Sequence, residues 1–343
     1  MPPEAAPSSA GRTAWASRIA PQWREPLVAL AAVAALMMLV TFREWGEMAH
    51  QWWHIDTYSH ILLIGPIIAW LVALKRAELA QITPQGWLPG LGVTGAALLI
   101  WLIGRGSEIN LIAHAGAVGA LQGAVLAVLG PRAALTIALP LAMGAFLVPF
   151  GDEIIPPLQA ITARIAVALT HWSGVNATID GINIHTPAGW FIVAEACSGV
   201  KFLVAMVTLG VLVCFTRFAS WKRRGLFMLA AVIVPVLANG VRAWGTIYLA
   251  QFYGAEVAAG FDHIIYGWVF FGIVVAVLLA GAWRWFEREP EEYGWSAGEV
   301  AALPIMARLD GMQAPLPMLL SLFAVLALAA SALAAFMPAL TPG

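Results

Sequence analysis

Two cysteines occur in the 343 residues, at positions 197 and 214, and only the first has neighbours that could make it a reagent. Cys197 stands in Glu195-Ala196-Cys197-Ser198-Gly199, just before the apolar run from about 200 to 215. A thiol attacks as its thiolate, a form favoured by a helix N-terminus, a nearby Arg or a protonated His. Arg242 lies within a later apolar segment and His263 opens the one after it. A Cys–His pair with an Arg facing a developing oxyanion suits acyl transfer through a thioester. Taken singly, each residue has a plainer explanation. A lone Cys in an apolar helix is usually a small buried hydrophobe. Arg242 could snorkel to head groups, and His263 after Asp262 could cap a helix. Cys214 keeps the plainer reading: about 25 Å along the same helix, it is too far from Cys197 for a disulfide.

Such residues matter only if the chain brings them together. It is 61% hydrophobic and 11% charged, with a mean hydropathy of +0.83. A soluble globular chain carries about 25% charged residues, and several apolar runs here approach the roughly 20 residues that cross a bilayer. The expected fold is therefore an all-α polytopic membrane protein. A net charge of -1 and the lack of a basic block exclude nucleic-acid binding as an expectation. The 16 Trp suit interfacial belts. No cleavable signal peptide is evident, and the first apolar run is long enough to remain as an anchor.

Spans are expected at about 26–42, 60–74, 88–104, 111–129, 133–150, 197–216, 225–250, 264–283 and 316–337, eight core helices and a ninth C-terminal one. With residues 1–24 as a cytoplasmic tail, thirteen of the 18 Lys and Arg fall inside and three outside. The stretch from Asp152 to about Thr170 is short and contains Arg164. If it crossed, the basic cluster at 217–224 would move outside, so it reads as an interfacial or re-entrant helix. Residues 176–193 alternate partially and predict a small extracytoplasmic hairpin. Cys197 then sits at the outer start of the sixth span. Arg242 lies 18 residues beyond Arg224, a rise of about 27 Å that carries it to the outer interface. His263 follows an outer loop. Charge asymmetry alone thus places all three groups on one membrane face.

The stretches Ala194-Glu195-Ala196-Cys197-Ser198-Gly199, Ala238-Asn239-Gly240-Val241-Arg242 and Asp262-His263-Ile264-Ile265-Tyr266-Gly267-Trp268 resemble the three signature blocks of the exosortase/archaeosortase family. Asp56-x-Tyr58-Ser59-His60 resembles a further recurrent block, and the likeness covers roughly residues 25–285. His at 263 fits the bacterial exosortase branch better than the archaeal one. The resemblance implies a membrane cysteine transpeptidase of the bacterial inner membrane, with its active site on the extracytoplasmic face. Its partners would be secreted proteins ending in a PEP-CTERM-like signal: a Pro-Glu-Pro-like motif, a transmembrane helix and a basic tail. By analogy with sortases, Cys197 would attack near the motif, Arg242 would stabilise thiolate or oxyanion, and His263 would serve as general acid or base. No cofactor is implied, and exopolysaccharide machinery is a possible associate. The expected organisation is a tail at 1–24, a catalytic core at 25–285, and a cytoplasmic linker with a C-terminal anchor at 286–343.

Supporting candidates are Glu195, which could orient Arg242 or His263, Ser198, Asn239, which could hydrogen-bond across helices, Asp262 and His60. Lys201 could snorkel or meet the motif's Glu. His50, His54 and Asp56 have a spacing that could bind a metal, but a solvated loop explains them as well. Two other functions compete. A transporter would use Arg242 and His263 for an anion or proton path, although no inverted repeat is visible. A serine protease would use Ser198, which lacks the Gly-x-Ser-x-Gly context of a nucleophile elbow.

Overall fold

The structure, a computed structural model, describes residues 20–254 and 268–336. In chain order the helices are α1 (Pro21–Val40), α2 (Phe42–His54), α3 (Ile64–Leu74), the single turn α4 (Arg76–Leu79), α5 (Leu88–Gly106), α6 (Asn110–Thr136), α7 (Ala138–Gly144) and α8 (Ile155–Trp172). Strands β1 (Thr178–Asp180), β2 (Asn183–Thr186) and β3 (Gly189–Ile192) follow. Then come α9 (Val200–Arg217), α10 (Trp221–Tyr253), α11 (Trp268–Ala282), α12 (Ala297–Ala302), α13 (Met306–Asp310) and α14 (Leu316–Phe336). Among the described residues six helices are long and apolar enough to cross a membrane, or up to nine if each of three bent pairs is one span. These helices and bent pairs overlap the expected segments, and the chain is a polytopic α-helical membrane protein.

The differences have local causes. Helix α1 begins at Pro21 rather than near 26, because a first helical turn tolerates Pro. The boundary expected near 130 is a kink inside α6, where Gly130 has a φ of 78° and is followed by Pro131. The expected span at 133–150 and the interfacial stretch after it form one pair, Ala138–Leu147 with Asp152–Trp172, bent by 67°. Gly151, with a φ of 122°, lies in the bend. The expected hairpin is a three-stranded antiparallel meander in the order β1-β2-β3.

The chain divides into two compact units. The first comprises residues 1–48, 67–148 and 295–343. Its centre is the antiparallel pair α5–α6, with α1 against α6 and α14 against α5 and α1. Small residues let the pair approach closely, as is common in membranes. A Cβ on Gly116 would lie 2.3 Å from the Trp101 amide, and one on Gly123 would lie 2.6 Å from the Thr94 hydroxyl. Trp101 and Phe323 are fully buried beside Ala117, Ala120 and Ala124. Gly116→Val is therefore expected to lower the melting temperature in detergent by at least the equivalent of an overpacked core, about 1–3 kcal/mol. An unchanged melt would show that the helices can separate there without loss.

The second unit comprises residues 49–66 and 149–294. Helix α10 packs against α8 and α9, and the sheet covers one end of α8. Ile184 of β2 is fully buried among Ala163, Ala166 and Val167 of α8 and Ile247 of α10. At the other end, the Glu287 carboxylate accepts the backbone N–H groups of Ala219 (2.7 Å) and Ser220 (2.8 Å) at the start of α10. It also faces Arg223 at 3.2 Å. The amide of Ser220 first, and then Ala219 and the neighbouring arginines, hold this carboxyl below its ordinary range. A depressed carboxyl stabilises the fold above its unfolded pKa, about 4.3, and loses that contribution as pH falls through the folded value. The melting temperature of wild type should thus fall more steeply below pH 5 than that of Glu287→Gln. Parallel curves would remove Glu287 from the acid response.

Candidate active site

Beyond β3 the chain enters a turn held from two sides. Gln159 Nε2 of α8 donates to the Val193 carbonyl at 2.7 Å. Glu195–Cys197 then form one 3₁₀ turn, closed by the Cys197 amide on the Ala194 carbonyl at 2.8 Å. Gly199 follows with a φ of 85° and precedes α9. A left-handed residue there lets the backbone turn from the 3₁₀ helix into α9, and glycine adopts it without a Cβ penalty. The space would exclude a side chain in any case, since a Cβ would lie 2.7 Å from Asn239 Cγ.

Asn239 of α10 is buried at 2% exposure and spans the turn. Its Nδ2 donates to the Cys197 carbonyl at 2.8 Å and to the Thr162 hydroxyl of α8 at 3.0 Å. Thr162 in turn donates to the Ser198 carbonyl at 3.4 Å. Buried polar groups stay where they are hydrogen-bonded, so this network ties the backbone on both sides of the thiol to two helices. Cys197 is half-buried and Arg242, one helical turn beyond Asn239, is buried at 8% exposure. Both line one cavity of about 70 Å³, together with Asn239, Ile184, Phe191 and Ile247. The Arg242 guanidinium carbon lies 5.9 Å from the centre of the Phe202 ring, which stacks on Phe271 at 4.8 Å. A thiol and a guanidinium thus share a small, largely apolar space.

Residues 52–280 match the sequence model of the transmembrane exosortases. The chain belongs to the exosortase family. No curated protein and no solved structure matches it. Exosortases act on secreted proteins with C-terminal sorting signals, and a membrane protein-sorting role in that general sense comes with membership. The matched range spans the positions of Cys197, Arg242 and His263.

His263 and Asp262 lie outside the described residues. Ser198 is buried at 2% exposure and its hydroxyl accepts the Val200 amide at 3.3 Å, a local helix-start contact. Glu195 is exposed, and no ion pair joins it to Arg242 among the described residues. His60 is half-buried with Nδ1 on the Thr57 carbonyl at 3.0 Å and does not line the cavity. Beside it, Tyr58 donates to Asp152 at 2.6 Å. Lys201 Nζ lies 5.2 Å from the centre of the Phe202 ring. His50 and His54 stack at 4.3 Å, and among the described residues no three His, Cys, Asp or Glu are grouped to hold a metal. The two thiols are not joined, and Cys214 donates to the Arg224 carbonyl at 3.3 Å.

Two residues of the site had no place in the sequence reading: Gln159 and Thr162. Their signal was their spacing. Three apart in a largely apolar stretch, they share one helix face, and that face meets the turn that carries Cys197.

Proposed function

We propose that this exosortase is a cysteine transpeptidase that removes the C-terminal sorting signal of secreted proteins and passes them to a cell-surface acceptor. The observation that supports it most is the shared cavity of Cys197 and Arg242. Its volume is far below that of a small-molecule pocket, which suits a scissile peptide group. The Cys197 thiolate attacks the peptide carbonyl carbon, favoured there by the dipole of α9. A C–S bond forms, the C–N bond breaks, and the leaving amine takes a proton from an acid, the role assigned to His263. Arg242 stabilises the oxyanion of the tetrahedral intermediate. An acceptor nucleophile or water then gives its proton to the base left at His263, attacks the thioester, breaks the C–S bond and restores the thiolate. The substrate signal in this reading is the Pro-Glu-Pro-like motif, transmembrane helix and basic tail. The site faces the extracytoplasmic side of the inner membrane, with the N-terminus in the cytoplasm.

The test is a tagged secreted protein bearing such a signal, followed by gel shift and intact mass. Wild type is expected to remove the tail, and the new C-terminal mass reports transfer or hydrolysis. Arg242→Gln should lower the rate of processing by at least about a hundredfold, the scale of a lost oxyanion donor. Full processing by Arg242→Gln would remove that residue from the chemistry. An untouched substrate with wild type would overturn the proposal.

A further inference from the structure

The first unit holds a second polar cavity, of about 400 Å³. It lies where α2 and α6 begin, α5 ends and α14 runs out, and its lining includes Arg43, Glu44, Glu47, Arg105, Glu108 and Asn110. The sorting chemistry makes no use of these groups.

Their pairing is uneven. Glu47 is fully engaged: Oε1 takes Arg43 Nε at 2.8 Å and Oε2 meets His114 Nε2 at 3.3 Å. Glu44 is not. Its side chain is 3% exposed, Oε1 is 3.8 Å from Arg105 Nη1, and Oε2 is buried with no hydrogen-bond partner. A buried carboxylate oxygen left without a donor is costly. Arg105 is mostly buried, stacked 5.4 Å from the Trp101 ring centre, and its ion pair with Glu44 is long. One wall therefore wants a hydrogen-bond donor and the other an oxyanion.

We infer that this cavity binds a phosphoethanolamine group, its primary ammonium on Glu44 and its phosphate on Arg105. A metal ion fits the site less well, because Arg43 and Arg105 share the cavity and, among the described residues, no three His, Cys, Asp or Glu side chains are grouped to hold one. An ammonium supplies the N–H donors that Glu44 lacks, and guanidinium is suited to phosphate. The placement agrees: α1 has 20 residues, a length of about 30 Å that matches a bilayer core. Its end, and with it the cavity, then lies at head-group level. The group can come from a membrane lipid or from a soluble phosphoethanolamine.

The purified, delipidated full chain can be titrated with phosphatidylethanolamine, its N-methyl and N,N-dimethyl derivatives, phosphatidylcholine and phosphatidylglycerol of equal acyl chains, with retention read by native mass spectrometry. Retention is expected to fall stepwise with methylation, phosphatidylethanolamine exceeding phosphatidylcholine and phosphatidylglycerol by about tenfold. Glu44→Gln should abolish the preference, whereas Arg105→Gln should weaken ethanolamine and choline lipids alike. Displacement of the lipid by soluble O-phosphoethanolamine would show that the head group suffices and a free ligand can serve. Failure to displace, with the lipid series intact, would assign the site to lipid. Equal retention of all five lipids by wild type overturns the inference, and this series needs no variant to fold. A Glu44→Gln chain that folds and keeps the preference overturns it too.

Discussion

Replacing Cys197 by Ala is expected to abolish signal removal, a fall of at least about a thousandfold, with the melting temperature nearly unchanged. Loss of an enzymatic nucleophile commonly costs this much or more. The hydrogen bond from Asn239 is made to the Cys197 backbone carbonyl, which an Ala keeps. Cys197→Ser should fail almost as completely, since a hydroxyl at neutral pH is a far poorer nucleophile than a thiolate. Cys214→Ala should process normally, because that thiol is buried and bonded to the Arg224 carbonyl. The measurement is the gel-shift and mass assay on a signal-bearing substrate. Normal processing by Cys197→Ala would dismiss the cysteine mechanism and bring a transport role for Arg242 forward.

Gly199→Val is expected to have the second-largest effect. A β-branched residue at a φ of 85° adopts a conformation that costs about 1–2 kcal/mol or more. Its Cβ would also meet three Asn239 atoms at 2.7–2.9 Å. Asn239 cannot yield without releasing the carbonyl of Cys197 and the hydroxyl of Thr162. The thiol would then move relative to Arg242, and displacements of about 1 Å can cost a hundredfold in rate. The variant should therefore lose processing by at least that factor while circular dichroism keeps its helical signal. A fully active Gly199→Val would mean that the turn does not set the position of the thiol. Asn239→Leu, which removes the same hydrogen bonds without backbone strain, separates strain from support.

Much of the fold was legible because a membrane imposes few choices. Apolar stretches of about 20 residues must become helices, since lipid offers no partner to an open backbone. The expected apolar segments recur as helices or bent helix pairs among the described residues for that reason, with shifted ends such as those at Pro21 and Gly130-Pro131, where local rules apply. The hairpin at 176–193 was visible as alternation, but its third strand was not, since four-residue strands carry little periodicity. Cys197 and Arg242 could be named from residue type, spacing and resemblance.

The spacing of Gln159 and Thr162 marks a shared helix face, but no linear pattern shows that this face grips the turn. Gln159 and Thr162 lie in a helix that the charge rule could treat only as interfacial, and their partners are 34 and 77 residues away. Those hydrogen bonds exist because α8 packs against the sheet and α10, contacts set by side-chain shape rather than by hydropathy. The same holds for Glu44. In the sequence it is one acid in a mixed polar stretch, and only the convergence of four helix ends leaves its carboxylate buried with an oxygen unmet. By itself the sequence determined which segments are apolar and which side chains are reactive. Tertiary packing decided which polar groups hold the thiol and which are left for a ligand, because hydrogen-bond satisfaction is a property of neighbours in space.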